Sequence, residues 1–276
     1  MTLKTRNRFI TAFLISSLIT ASICLIIFIT AIFRGTIIMP PGHRIFRIMD
    51  NIPLMKNSFT ALLISFLLII LYVPVCFYLL LKYFENTQTS EIIFFTGFLL
   101  ACLAEAARFL TICLGLWQTF SNMLIFAGNM VLFGRTLAPL SFLCASILSE
   151  NELKQDVERN YLIMMTVSLV FAAIIPMNTA RIASTGLVTE GFRPLIMIFR
   201  TLLMLTAVVS FYIQGTKKNS REQKHLSSSS FILLLGYSML ISADNLPFLI
   251  FGSALLFLGT YRYLVFIHKL YMWNYS

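Results

Sequence analysis

Four ionisable side chains, Glu105, Arg108, Arg135 and Arg200, lie inside long apolar stretches of this 276-residue chain. An ion there has no water to solvate it, so each charge must find a partner. Glu105 and Arg108 are three residues apart, which puts them on one face of a helix and makes an internal ion pair the simplest expectation. Asn129, in the same stretch as Arg135, and Asp244, in a polar break near the C-terminus, complete the set. Three embedded arginines face one embedded Glu, or two acids with Asp244. An arginine at the bilayer centre costs about 2.5–3.5 kcal/mol on insertion scales, so the surplus cation calls for a partner. An anionic ligand can fill that role. The candidate ligand-binding residues are therefore Glu105, Arg108, Asn129, Arg135, Arg200 and Asp244. Protonation of Glu105 or Asp244 would let the same set couple protons to transport.

The elements that must position these groups are membrane-spanning helices. A hydrophobic content of 58% with 12% charged residues exceeds what a soluble core can hide. At about 20 residues per span, the length allows seven to nine crossings and no separate soluble domain. Hydropathy places spans near 9–33, 58–81, 91–116, 121–147, 161–179, 194–213, 231–243 and 247–268. The expected fold is an all-α polytopic bundle of eight spans, a single domain over 1–276. The first run is too long for a signal peptide and lacks a cleavage site, so it is expected to stay as a span. Ile23 before Cys24 argues against a lipidation motif.

Charge sets the expected orientation. With the N-terminus inside, Lys4, Arg6, Arg8, Lys82, Lys154, Arg159, Lys217, Lys218, Arg221, Lys224, Arg262 and Lys269 are cytoplasmic, twelve of the 21 cations, against six outside. That favours cytoplasmic N- and C-termini. The net charge of +10 is then topology signal and headgroup contact, with no nucleic-acid partner implied. The basic stretch 214–230 is expected as a cytoplasmic loop. The last two spans have a rival reading: one helix over 231–255, a separate amphipathic helix over 260–273, and seven spans. Eight is preferred, because seven would strand Arg262 and Lys269 outside and leave Asp244 within lipid reach.

Further features bear on the outer half. The stretch 34–57 carries Pro40, Pro41 and Pro53 around Ile45, Ile48, Met49 and Ile52 at helical spacing, an interfacial helix or a lid. Pro74, Pro139 and Pro176 fall inside assigned spans and each frees a carbonyl four residues back, that of Arg135 in the case of Pro139. Small residues over 101–107 suggest that span three packs centrally. Arg135-Thr136-Leu137 echoes Arg200-Thr201-Leu202, and Ala107-Arg108 echoes Ala180-Arg181, as a parallel repeat of spans three to four in spans five to six would.

Enzyme chemistry has little footing. His43, His225 and His268 lie in loops or at a span end, away from any embedded carboxylate, so no zinc site is expected. There is no Gly-x-Ser-x-Gly motif and no mid-span lysine, which argues against serine hydrolysis and a Schiff-base chromophore. Transfer of a phosphorylated lipid, with an acid as base and arginines on phosphate, is the one enzymatic alternative. Cys24, Cys76, Cys102, Cys113 and Cys144 lie in spans and read as small packing residues. Asn274-Tyr275-Ser276 matches a glycosylation acceptor but falls on the cytoplasmic side.

The expectation is thus a multi-pass protein of a cell membrane, with short loops suggesting a bacterial cytoplasmic membrane. It holds an outer-half polar cavity for a small anionic or amphiphilic ligand and needs no cofactor. In layout alone it is similar to bacterial membrane sensor modules that precede kinase or cyclase domains, with output passing to a partner protein. A secondary transporter and a structural or assembly subunit are the alternatives.

Overall fold

Thr2 starts the first helix by accepting a hydrogen bond from the Thr5 amide at 3.3 Å, and α1 then runs over Leu3–Arg34. Gly35, with φ 62°, closes it in the left-handed conformation that glycine adopts without strain. The helix is about 48 Å long at 1.5 Å per residue, so it exceeds the roughly 30 Å of a bilayer core. In the computed structural model the described residues are 2–35, 37, 58–87, 89–116, 122–148, 156–183, 185–186 and 188–272. The expected interfacial helix and the Asn274-Tyr275-Ser276 tripeptide lie outside them.

The remaining helices are α2 (Phe59–Phe84), α3 (Ser90–Ala104), α4 (Ala106–Cys113), α5 (Asn122–Leu148), α6 (Val157–Ile174), α7 (Arg193–Lys217), α8 (Arg221–Ile241) and α9 (Leu246–Met272). Seven helices among the described residues, counting α3 and α4 as one, are long and apolar enough to cross a membrane. The eighth column, α8, has its first turns diluted by Arg221, Glu222 and Lys224.

Three expectations need correcting. The span near 161–179 stops at Ile174, because Pro176 disfavours the helical conformation at the residue before it and Ile175 turns extended. The chain then forms strands β1 (Met177–Ile182) and β2 (Val188–Glu190), paired antiparallel with Met177 opposite Glu190. Among the described residues the bundle is therefore helical with one β-hairpin, not purely α. The stretch 214–230 is no loop: α7 runs on to Lys217, and Ser220 caps α8 by accepting from the Gln223 amide at 3.4 Å. With that start α8 spans about 31 Å, so the last hairpin is not short. The break at 242–245 matches its expected place, with Asn245 Oδ1 accepting from the Phe248 amide at 2.9 Å.

Close packing follows the small residues. Between α8 and α9, a Cβ on Gly236 would lie 2.4 Å from the Leu256 amide nitrogen. One on Gly252 would lie 2.9 Å from that of Leu240, and one on Gly259 2.6 Å from Leu233. These contacts step in opposite directions along the two helices, so the pair is an antiparallel hairpin in backbone contact, as small-residue faces permit in lipid. The α3 column is the most completely enclosed, as expected for span three, and touches α1, α2, α5 and α6. Phe95, Phe98, Phe142, Tyr237 and Tyr263 join α3, α5, α8 and α9 through edge-on and stacked rings. By contrast α1 exposes Ile15, Ile19, Ile23 and Ile26, as a lipid-facing helix does.

Candidate functional site

The helix that carries Glu105 is broken at that residue. Its amide donates to the Cys102 carbonyl at 3.2 Å, three residues back, and its carbonyl accepts from the Arg108 amide at 3.0 Å. This local tightening separates α3 from α4, and such mid-helix irregularities recur at functional places. Directly opposite lies Gly134 of α5, where a Cβ would be 2.7 Å from both the Ala101 carbonyl oxygen and the Ala104 Cβ. Only glycine lets the two helices meet here, and the next residue, Arg135, is thereby delivered to Glu105.

Glu105 is clamped from both sides. Arg135 Nε lies 3.0 Å from Oε1 and Arg108 Nε lies 3.1 Å from Oε2, with both Glu105 and Arg108 side chains only 1% exposed. The Arg108 guanidinium also sits 4.3 Å above the Phe66 ring, a cation–π contact from α2. Its Nη1 donates to the Ile241 carbonyl, and Arg135 Nη2 reaches the same oxygen at 3.5 Å. Ile241 is the last residue of α8, so two cations cap the negative end of that helix and satisfy a carbonyl with no helical donor.

The β-hairpin closes this end of the bundle. At Gly186, with φ 70°, a Cβ would lie 2.5 Å from Ile112 Cδ1 and 4.0 Å from Arg108 Cγ. Thr111 Oγ1 donates to the Gly186 carbonyl at 3.5 Å. The hairpin base rests on Gly128 of α5, whose absent Cβ would meet Met177 and Val188. Glu190, at the end of β2, approaches Arg200 of α7 with 3.9 Å between Oε1 and Nη1. That is an ion pair too long to be a hydrogen bond. Arg200 is in turn within electrostatic reach of Arg135, Glu105 and Tyr237.

Of the six candidate residues, Glu105, Arg108 and Arg135 form one ion-paired cluster and Arg200 borders it. Asn129 is half-buried on α5 with its Oδ1 lacking any hydrogen-bond partner, so it is no acceptor for the guanidinium groups. Six residues before Arg135, it lies about 120° away around the helix. Asp244 sits in the α8–α9 turn, its backbone carbonyl accepting from the Ser58 amide at 2.8 Å, while the arginine ion pairs run to Glu105 and Glu190. Sequence reasoning passed over Glu190, Phe66, Tyr237 and the Ile241 carbonyl. A signal for Glu190 existed, since 177–190 holds β-branched residues on both sides of a Ser-Thr-Gly turn.

Three guanidinium groups thus meet two carboxylates, a surplus of one positive charge. Arg108 Nη2, Arg200 Nε, the Glu190 Oε1 atom and the Tyr237 hydroxyl are buried without hydrogen-bond partners. Among the described residues no three His, Cys, Asp or Glu side chains gather as a metal would require. Such an arrangement can hold an anion through charge-assisted hydrogen bonds, with the guanidinium fork suited to a carboxylate or phosphate. Compared with family models, curated proteins and solved structures, the chain matches none.

Proposed function

We propose that the protein is a sensor- or receptor-type membrane module that binds a small anionic or amphiphilic ligand at its hairpin end. The observation that carries this reading is the surplus guanidinium charge together with free donors on Arg108 and Arg200. Buried donors without acceptors are costly, about 1–3 kcal/mol each, and a ligand oxygen would relieve that cost. Glu190 meets Arg200 too distantly to satisfy it. The excess of cations near the opposite end supports an orientation with both termini in the cytoplasm and the hairpin outside, in a bacterial cytoplasmic membrane. A partner protein would then receive the signal.

The test is a thermal-shift screen of detergent-purified protein with small carboxylates, phosphates and anionic amphiphiles. A ligand present at a hundred times its dissociation constant stabilises by about 2.7 kcal/mol. The expected result is a rise in melting temperature with one anion class that is lost in Arg200→Gln. No rise with any anion overturns the reading.

The break in the α3–α4 column supports a second reading, a transporter, since discontinuous helices commonly form transport sites. Glu105 would be its proton carrier. pH-dependent flux in proteoliposomes that vanishes in Glu105→Gln would favour this reading over the first.

A further inference from the structure

A second site, unrelated to the arginine cluster, lies between α2 and α9. The two helices run parallel and touch at two levels. At the first, the Tyr72 and Thr260 hydroxyls are 2.6 Å apart, with the Tyr72 ring edge-on to Phe257. At the second, towards the helix C-termini, Phe84 meets His268 edge-on with ring centroids 5.8 Å apart. Between these levels the helices leave a groove of about 680 Å³. Cys76 and Leu79 of α2 and Leu264 and Val265 of α9 line its apolar length. The positions on each helix recur every three to four residues, so two single faces are turned towards each other across the groove. Pro74 stands beside the Tyr72 level and leaves the Ile70 carbonyl without its helical donor, which loosens α2 there.

The ends of the groove differ in chemistry. The deep end is closed by the Tyr72–Thr260 pair, in which Thr260 Oγ1 donates to the Leu256 carbonyl at 2.8 Å and accepts from the Tyr72 hydroxyl. The other end carries Tyr83, His268 and Lys269, with the Lys82 ammonium 5.5 Å from the Tyr83 ring centre. Lys82, Tyr83 and Lys269 are exposed, and Glu85 is the acid nearest in sequence. From Tyr72 to Tyr83 the helix rises about 16 Å, close to the roughly 15 Å depth of one leaflet's hydrocarbon. Tyrosine and lysine at the shallow end match the headgroup level, where aromatic rings and basic side chains gather. The dimensions, the apolar walls and the cationic mouth fit one occupant.

We infer that the α2–α9 groove binds one anionic phospholipid, with an acyl chain laid along Cys76, Leu79, Leu264 and Val265 and the phosphate held by Lys269 and Lys82. The volume is within the range of about 300–1,000 Å³ in which specific small-molecule sites fall. The occupant comes from the leaflet itself, so the site needs no opening to water. Neither the ligand of the arginine cluster nor its existence enters this assignment.

Two measurements test it on the full-length protein. Native mass spectrometry of detergent-purified protein, titrated with phosphatidylglycerol or phosphatidylcholine of the same acyl chains, should show a single retained phosphatidylglycerol at least fivefold preferred. Lys82→Ala with Lys269→Ala should bring that preference to about one, and Leu264→Trp, which fills the trench, should remove the retained lipid. Equal binding of both lipids, or retention unchanged in Leu264→Trp, overturns the assignment. A photoreactive benzoylphenylalanine at position 79, activated in native membranes, should give an adduct of phospholipid mass. A protein-sized adduct, including one of twice the chain's mass, or no adduct at all, refutes lipid as the occupant.

Discussion

Buried arginines cap helix C-termini at both ends of this bundle, yet they do so in different ways. At one end Arg6, 2% exposed, donates to the carbonyls of Phe84, Glu85 and Thr87 and to Asn7 Oδ1. Every guanidinium nitrogen of Arg6 has an acceptor: backbone carbonyls at the end of α2 and just beyond it, and the Asn7 amide oxygen of α1. At the other end Arg108 and Arg135 cap α8 through a single carbonyl, that of Ile241, and lean on Glu105 for the rest. There Arg108 Nη2 and Arg200 Nε are left without acceptors. An arginine that only completes a fold finishes its hydrogen bonds. The hairpin end has not finished its own, and that difference is what the proposed anion site rests on.

The comparison breaks most severely at Glu105. Removing the carboxylate in Glu105→Ala leaves two buried guanidinium groups facing each other, and the expected loss is about 3–5 kcal/mol, read by unfolding in mixed micelles. Exchanging both Glu105 and Arg135 for Met should recover part of that loss, because one of the two uncompensated guanidinium groups is removed along with its desolvation. If the double variant is no more stable than Glu105→Ala, the clamp is not the source of the effect. At the other end, Arg6→Ala unties α1 from the end of α2 and should lower stability by about 1–3 kcal/mol, the cost of orphaned carbonyls. Unchanged unfolding there would mean that the α2 terminus is served by water. The smallest change in stability is expected from Glu190→Gln, about 1 kcal/mol, since its 3.9 Å ion pair is too long for a hydrogen bond and Gln keeps the volume and polarity of the side chain. The same substitution frees Arg200 and should raise anion affinity in a titration; weaker binding would show that Glu190 helps to hold the ligand.

Much of this architecture can be read from the chain, and the parts that cannot have physical causes. The apolar runs locate the helices because lipid imposes one length and one composition on all of them. The Glu105–Arg108 contact is likewise visible, since a spacing of three can only mean one face. The beginning of α8 is hidden because its first turns carry Arg221, Glu222 and Lys224, residues that hydropathy counts as loop although Ser220 caps a helix there. The hairpin at 177–190 is hidden because hydropathy treats the polar residues after a span as mere connection, and its only flags are Pro176 and the β-branched residues beyond it. Glu190 is hidden with it. That Arg135 reaches Glu105 depends on Gly134 lying against Ala101 and Ala104, a matter of close approach in three dimensions. The contact of Arg108 with Phe66 joins residues 42 positions apart and leaves no local pattern.

The hairpin-end guanidinium groups are held to be incomplete without an anion, and one measurement separates them from Arg6. Anion-induced shifts in melting temperature should be compared in the wild type, Arg200→Gln and Arg6→Ala. The expected result is that Arg6→Ala starts lower but keeps the full shift, whereas Arg200→Gln starts near the wild type and has none. Equal shifts in both variants, or a shift lost only in Arg6→Ala, would contradict it.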